Sequence, residues 1–373
     1  MLYLAEQDKI PATTWSGATH SLYVNLNSLI STTFIPLRYR WTDRLTSTAV
    51  NIILNHRLET NLNFNELYQS HRERKIQTLL GVYSQGTATQ PVIQIGDLAD
   101  IPGSSIYTDL SISYLLYCKR HYNTSFRVSG FQKFSDATLQ TRNNIQLRRY
   151  KSARYILTMS HMLHDFLIDE EGFSDEKVKY VGGGSNVLAQ DKLSVSKIRP
   201  AKQRTRVLFV GKDFSRKGGD RVIRAFNILK HSHQEIELYI AGPSKQQFPD
   251  TKGVHFLGER DLDSIEKLYQ ACDIFCMPSR FEAFGLVFVE ALSHGLPCIG
   301  MDRFEMKNLI KDGFNGKLIR ENDSDTVLAE KMWELLKDNR IFENVAQMQS
   351  YYLKNYSWHH VANNIVKIVG DNK

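Results

Sequence analysis

Apolar residues recur along the chain in short blocks whose spacing alternates between that of a strand and that of a helix. Residues 1–5 (MLYLA) form a first apolar run, and Leu22, Leu26 and Leu29 follow at helical spacing. Pro11, Thr13, Thr14, Ser16 and Gly17 make the loop between them. A loop of small residues entering a helix after a first strand is where doubly wound folds hold phosphates, although no GxGxxG is present. Residues 31–37 (STTFIPL) predict a strand, and residues 50–59 (VNIILNHRLE) a further apolar segment. The charge run Arg72–Lys75 reads as a solvated face between elements. Residues 91–99 (PVIQIGDLA) are apolar enough for a parallel strand, and 104–117 a strand turning into a helix near Asp109. Strand, helix, strand and the glycines Gly182, Gly183 and Gly184 complete this half, with Ser160 as a helix N-cap.

The second half repeats the alternation. After a polar stretch, residues 188–203, Val207–Val210 predict a strand and Val222, Ile223, Ala225, Phe226 and Leu229 a helix. Residues 236–243 and 254–258 predict two more strands, and Ile274–Met277 another, ended by Pro278, Ser279 and Arg280. From Gly285 the run Leu286, Val287, Phe288, Val289, Ala291 and Leu292 is apolar nearly all round, which predicts a buried helix stopped by Gly295 and Pro297. The fold class is therefore α/β, with two Rossmann-like, doubly wound parallel sheets facing a cleft. The predicted division is a first domain over residues 1–187, a linker over 188–203, a second domain over 204–355 and a final helix over 356–373.

Composition narrows this picture. A length of 373 residues suffices for two cores, and 42% apolar with 23% charged residues is ordinary for a soluble globular protein. No stretch approaches the roughly 20 apolar residues of a membrane span, and the start lacks the basic-then-apolar order of a signal peptide, so a cytoplasmic location is expected. Cys118, Cys272, Cys276 and Cys298 form no CxxC pair and read as buried reduced thiols. The formal charge of +7 favours anionic partners: phosphates, nucleotides, an anionic bilayer or nucleic acid.

Candidate chemistry gathers in the second half. Glu282 precedes the buried helix and Glu290 lies inside it, with seven residues between them. A glutamate among Val289, Ala291 and Leu292 is costly to bury, on the order of several kcal/mol, unless it is hydrogen-bonded, and a ligand bearing hydroxyls would supply that. The backbone amides of Phe284, Gly285 and Leu286 open the helix, where unpaired N–H groups and the helix dipole favour a phosphate. Lys212, Arg216 and Lys217 cluster after the strand ending at Val210, beside Gly218 and Gly219, and suit a diphosphate. Asp109 is read either as an acceptor or sugar contact or as an N-cap. Asp261 and Asp263 form a DxD triplet, but Asp263 with Glu266 reads as a capping box and no metal is expected. Residues 142–154, with Arg142, Arg148, Arg149, Lys151, Arg154 and Tyr150, read as a solvated basic helix or as a contact to an anionic membrane.

Glu282 and Glu290, with Phe284, Gly285, Gly295 and Pro297, resemble the E-x7-E signature of glycosyltransferase family four, retaining enzymes of the GT-B architecture. The resemblance is specific over residues 204–358 and fainter over 1–187. It implies that Glu282 lies at the donor sugar and that Glu290 binds the ribose of a nucleoside diphosphate-sugar. Lys217 falls on the family lysine, with Lys212 where an arginine is expected and Arg216 able to supply the guanidinium. Leu257 and Gly258 border the nucleobase, and Gly17 stands in a first loop that faces donor and acceptor. The family's His-Asp pair is Thr108 and Asp109 here, His161 would face the cleft, and Asn308 stands where a glutamate is usual, with Glu305 displaced. The last helix would return to the first domain. The implied activity is transfer of a sugar to a glycan or lipid-linked acceptor hydroxyl in cell-surface polysaccharide synthesis, with no cofactor, no metal and no nucleic-acid partner. Two alternatives stand beside it: a sugar-nucleotide epimerase or phosphorylase of this architecture, and a basic polyanion-binding protein.

Overall fold

The computed structural model describes residues 1–7, 17–38, 49, 62–83, 90–187, 200, 203–243 and 251–370. The apolar segment expected at 50–59 lies outside them, as do Pro11 to Ser16. The chain divides into two units: Met1–Tyr122, Phe131–Gly182 and Trp358–Lys373 form the first, and Asn123–Gly130 with Gly183–Ser357 the second.

Unit 1 is built from β1 (Leu2–Glu6), α1 (Ala18–Leu29), β2 (Thr33–Leu37), α2 (Glu66–Tyr83), β3 (Val92–Ile95), β4 (Ser105–Thr108) and α3 (Ile112–His121). The short α4 (Asn123–Phe126) belongs to unit 2, and unit 1 resumes with α5 (Asp136–Ser152), β5 (Tyr155–Thr158), α6 (His161–Asp169) and β6 (Val178–Tyr180). Its six strands are all parallel, in the order β2-β1-β3-β4-β5-β6. The core under β1 and β2 joins Leu2, Leu4, Ile35 and Leu37 to Ile76 of α2 and to Leu98.

Unit 2 contains β7 (Arg206–Val210), α7 (Gly219–Ser232), β8 (Glu237–Ala241), β9 (Val254–Gly258), α8 (Leu262–Ala271), β10 (Ile274–Cys276), α9 (Leu286–Ser293), β11 (Cys298–Met301), α10 (Met306–Leu309), β12 (Gly316–Ile319), α11 (Asp325–Lys337) and α12 (Asn339–Asn355). Its sheet is also six-stranded and parallel, β12-β11-β10-β7-β8-β9. The final α13 (Trp358–Gly370) counts with unit 1, where it lies along α1 and donates from Asn364 Nδ2 to the Val181 carbonyl at 3.2 Å.

In open parallel sheets, ligands bind beyond the carboxyl ends of the strands where the strand order reverses. That reversal falls between β1 and β3 in unit 1 and between β7 and β10 in unit 2. Several local expectations change at this level. The residues 72–75 sit inside α2, where Arg72 is buried rather than solvated, because Glu6, Asn63 and Gln69 receive its guanidinium. Ser111, not Asp109, caps α3 by accepting from the Tyr114 amide at 3.1 Å. Asp261, not Asp263, caps α8 by accepting from the Ser264 amide, so the helix starts earlier than the Asp263–Glu266 spacing implied. Ser160 caps α6 as expected, and all four cysteines are buried free thiols.

Candidate donor site and a second polar cavity

Two loops build the reversal point of unit 2. The first follows β7 and ends at Gly218, and the second follows β10 and ends at Gly285. Both glycines adopt left-handed backbone (φ 77° and 92°) and open the helices α7 and α9. A Cβ on Gly218 would stand 2.2 Å from the Pro278 carbonyl oxygen, so one loop packs closely against the other here. The Arg280 amide donates to the Arg216 carbonyl at 2.8 Å, and Arg216 Nη1 donates to the Phe281 carbonyl at 2.7 Å. Arg280 grips Asp220 through both terminal nitrogens, at 2.6 and 2.7 Å, and thereby ties the second loop to the first turn of α7.

This framework brings Lys217 onto Glu282, Nζ to Oε2 at 2.5 Å, with Arg216 Nη1 at 3.9 Å from the same oxygen. Ser279 Oγ lies 3.4 Å from that oxygen. Glu290, buried in α9, receives Ser185 Oγ at 2.9 Å on Oε1 and the Tyr269 hydroxyl at 2.9 Å on Oε2. Burial pushes the Glu290 carboxyl above its ordinary range; the Ser185 and Tyr269 hydrogen bonds and the charge of Lys217 oppose that push without cancelling it. Lys217 therefore acts on both carboxylates of the pair. Tyr269, driven well above the usual phenol range by burial and then by Glu290, stays protonated and donates. His294 stacks on the Tyr269 ring (5.2 Å, 23°) with Nδ1 at 2.8 Å from the Glu290 carbonyl, and burial lowers its pKa.

Phe284, Gly285 and Leu286 stand at the start of α9, as the sequence placed them. Lys212 points elsewhere: its Nζ meets Glu259 at 3.0 Å, both side chains being largely exposed, beside Leu257 and Gly258 at the end of β9. Gly258 accepts from the Gly242 amide at 2.8 Å across β8 and β9. Glu305 is buried, and Asn308 Nδ2 donates to its Oε2 at 2.9 Å. Next to it, Phe304 has φ 55°, the one left-handed non-glycine among the described residues, and lies edge-on to Phe281 at 5.3 Å. The hydroxyls of Ser185 and Tyr269 were missed in the sequence, since nothing in their local spacing ties either to Glu290.

Gly17 and Asp109 belong to unit 1. Gly17 opens α1 with φ 83°. Asp109 lines a cavity of about 310 Å³ at the carboxyl ends of β1, β3 and β4, together with Glu6, Asp97, Arg72, Arg142 and Phe64. Arg142 Nη2 and Gln146 Nε2 share Asp97 Oδ1 at 2.7 and 2.9 Å, and Arg149 Nη1 lies 3.5 Å from Oδ2. Arg149 also bonds the Asp97 carbonyl and Glu73. Burial works to raise the Asp97 pKa, and Arg142, Arg149 and Arg72 outweigh it and hold the carboxyl below the usual range. The basic stretch 142–154 is thus neither wholly solvated nor wholly free for a membrane: Arg142 and Arg149 turn inward, leaving Arg148, Lys151 and Arg154 at the surface. The signal was present, because Arg142, Gln146 and Arg149 recur at i, i+4 and i+7 on one helix face. His161 stacks on Tyr180 at 3.7 Å, and burial lowers its pKa. Among the described residues, no group of three or more His, Cys, Asp or Glu side chains is arranged to hold a metal, and no helix is long and apolar enough to cross a membrane.

Residues 191–355 match the family described as glycosyl transferases group 1. The phosphatidyl-myo-inositol mannosyltransferase of Mycobacterium leprae is 28% identical over 170 residues, 43% of this chain and 45% of that one, so the match spans less than half of either. Among solved structures, WaaG, a glycosyltransferase involved in lipopolysaccharide biosynthesis, superimposes with a TM-score of 0.67 at 16% identity, over 100% of both chains. Anabaena HepE, solved in complex with UDP and glucose, does so with a TM-score of 0.65 at 17% identity, over 99% of both. These two likenesses establish the fold, the two-domain GT-B architecture.

Proposed function

We propose, from the membership of residues 191–355 in glycosyl transferases group 1, that the chain is a retaining glycosyltransferase that moves a sugar from a nucleoside diphosphate donor to a glycan or lipid-linked hydroxyl. The observation that carries this reading is the convergence of Lys217, Glu282 and Glu290 where the strand order of unit 2 reverses. Glu290 holds the ribose hydroxyls. Its two protein donors each leave a carboxylate oxygen with lone-pair capacity, which a ribose hydroxyl can use. Arg216, Lys217 and the amides of Phe284, Gly285 and Leu286 take the diphosphate, with Lys212, Leu257 and Gly258 toward the base. Glu282, fixed by Lys217 and Ser279, positions the sugar.

In the transfer step, the bond from the anomeric carbon to the diphosphate oxygen breaks as the acceptor oxygen bonds to that carbon on the same face. The acceptor proton passes to the departing diphosphate. Cations fixed beforehand stabilise the charge that grows on the leaving group, and the protein needs no metal ion for this. Asp109 is assigned to the acceptor, and Gly17, which opens α1, to the donor. The reaction belongs to cell-surface polysaccharide synthesis on the cytoplasmic side.

The test is a panel of UDP-, GDP- and dTDP-hexoses with and without chelator. Nucleoside diphosphate release is followed, and proton NMR reads the anomeric configuration of the product. Release that survives chelation, with retained configuration, is expected. An inverted product, dependence on a divalent cation, or no turnover of any donor refutes the proposal. Epimerised or phosphorolysed sugar as the sole product would favour the epimerase or phosphorylase alternative.

A further inference from the structure

A strap from the first half of the sequence, Asn123–Gly130, is packed into unit 2, although the chain on either side of it belongs to unit 1. Its turns are closed locally. The Val128 amide donates to the Ser125 carbonyl at 3.2 Å, and the Ser129 amide and hydroxyl donate to the Phe126 carbonyl at 3.1 and 2.7 Å. Gly130, at φ 87°, turns the chain back. Ser125, Phe126 and Ser129 are buried, so the strap is seated in unit 2 rather than laid over it. We infer that this strap, and Arg303 that clamps it, position Glu282 and with it the sugar end of the donor. The inference rests on the proposed function for the place of the sugar at Glu282.

Arg303, just after β11, donates from Nη1 to Ser125 Oγ at 2.9 Å and from Nη2 to Glu321 Oε2 at 2.6 Å. The Thr124 hydroxyl donates to Oε1 of the same carboxylate. The Arg303 hydrogen bond, helped by Thr124 and opposed by burial, holds the Glu321 carboxyl below its ordinary range. Guanidinium, carboxylate and two strap hydroxyls thus form one cluster that ties the strap to the loop after β11.

That loop carries the clamp to the donor site. Phe304, next in the chain, has φ 55°, a backbone that a bulky side chain adopts only where its surroundings impose it. Both of its neighbours are held. Arg303 is bonded to the strap, and its amide donates to the Met301 carbonyl at 2.7 Å; Glu305 is buried and bonded to Asn308. So fixed, the Phe304 ring lies edge-on to Phe281 at 5.3 Å, and Phe281 immediately precedes Glu282. The Phe281 carbonyl accepts from Arg216 Nη1 at 2.7 Å and from Ser279 Oγ at 3.0 Å. Glu282 is therefore placed from two directions: by the cations of the loop after β7, and by the strap through Arg303, Phe304 and Phe281. Glu290 lies off this path, since Ser185 and Tyr269 hold it. Loosening the strap should misplace the sugar and spare the nucleotide.

The experiment compares the full chain with Ser125→Ala and Arg303→Ala. Hydrogen exchange without ligand should quicken several-fold over residues 279–285 in both variants, with β7 and β8 unchanged. Calorimetry with UDP, GDP and dTDP should leave the tightest nucleotide within about twofold of its wild-type affinity. With the matching hexose donor, kcat should fall about ten- to a hundredfold in Arg303→Ala, the scale of a small misplacement at the reacting centre, and less in Ser125→Ala. Added guanidinium should restore part of kcat to Arg303→Ala and none to Ser125→Ala. Unchanged exchange over 279–285 in both variants refutes the inference. So does a loss of nucleotide affinity in step with kcat, which general damage to unit 2 would produce. If Arg303→Ala does not fold, Ser125→Ala, which lacks a single hydroxyl, decides by the same readouts. The two proposals fail separately. No turnover of any donor by the wild type sinks the glycosyltransferase reading while the exchange result stands; wild-type turnover and exchange in both variants sink the strap alone.

Discussion

Asp97→Asn is the sharpest test of how unit 1 is held together. The Asp97 side chain is almost fully buried, and its carboxylate meets Arg142 on one oxygen and Arg149 on the other, both of them buried guanidiniums. An asparagine keeps the shape but removes the charge, and its amide can turn donors toward donors. Removing one partner of a buried ion pair costs about 3–5 kcal/mol, because the charge left behind has lost both water and counterion. Against a typical total of about 5–15 kcal/mol, that is a large share. At a urea slope of about 2 kcal/mol/M it moves the midpoint of unit 1 down by roughly 2 M. The assay is urea unfolding of the full chain, read by hydrogen exchange within β3 and α5 so that unit 1 is followed separately. Because the cost comes from a stranded cation, Asp97→Asn combined with Arg149→Met should be less destabilised than the sum of the two single changes. A loss no larger than that of the exposed Lys212→Ala, or strict additivity in the double change, would refute this account. The pH dependence carries the same sign. Since the native pKa of Asp97 is lowered, its contribution is complete above the ordinary carboxylate range and disappears as pH falls through the lowered native value.

The remaining expectations concern unit 2. Lys217→Ala should lose far more turnover than Lys75→Ala, whose ammonium meets the Arg38 carbonyl on the surface; equal losses in kcat would remove the diphosphate from the loop after β7. Tyr269→Phe should weaken donor binding by about five- to tenfold, near 1–1.5 kcal/mol, the scale of one intramolecular hydrogen bond, and calorimetry showing unchanged donor affinity would count against Glu290 as the ribose ligand. Gly218→Ala should destabilise unit 2 by more than the roughly 1 kcal/mol of a left-handed alanine, because its Cβ would also collide with the Pro278 carbonyl; a smaller drop in stability would mean that the two loops are not packed as described.

The two parallel sheets were legible because strands buried on both faces read as continuous apolar runs, and helices between them as runs at period 3.6. The two helix starts at the reversal point of unit 2 were legible for a related reason: Gly218 and Gly285 mark the places where a strand ends and a helix begins with left-handed backbone. What the sequence concealed were partners distant in the chain. Ser185 lies 105 residues from Glu290, and Arg149 lies 52 from Asp97, so no local spacing reports either bond. The basic stretch of α5 misled although Arg142, Gln146 and Arg149 share one helix face, because spacing gives the face and not its partners. Its arginines look like a solvated face until the carboxylates that face them, Asp97 just after β3 and Glu73 in α2, are placed.

The buried glutamate in α9 shows what such partners do for function. From the sequence, Glu290 needed a hydrogen-bonding partner that a ligand bearing hydroxyls would supply; in the fold Ser185 and Tyr269 already do so, and its pKa still stands above the ordinary range. A raised native pKa means that stability falls as pH rises from the ordinary glutamate range toward the native value, since the folded chain there holds a proton that the unfolded chain has released. Glu290→Gln should therefore flatten that part of the stability profile while donor affinity drops, because an amide oxygen accepts less strongly than a carboxylate. Thermal unfolding between about pH 4.3, the ordinary glutamate value, and neutrality reads the first effect, and calorimetry with the nucleotide reads the second. If the variant instead lost stability across that whole range and bound nucleotide normally, Glu290 would be a structural acceptor for Tyr269 and Ser185, and the donor ribose would have to be sought elsewhere in unit 2.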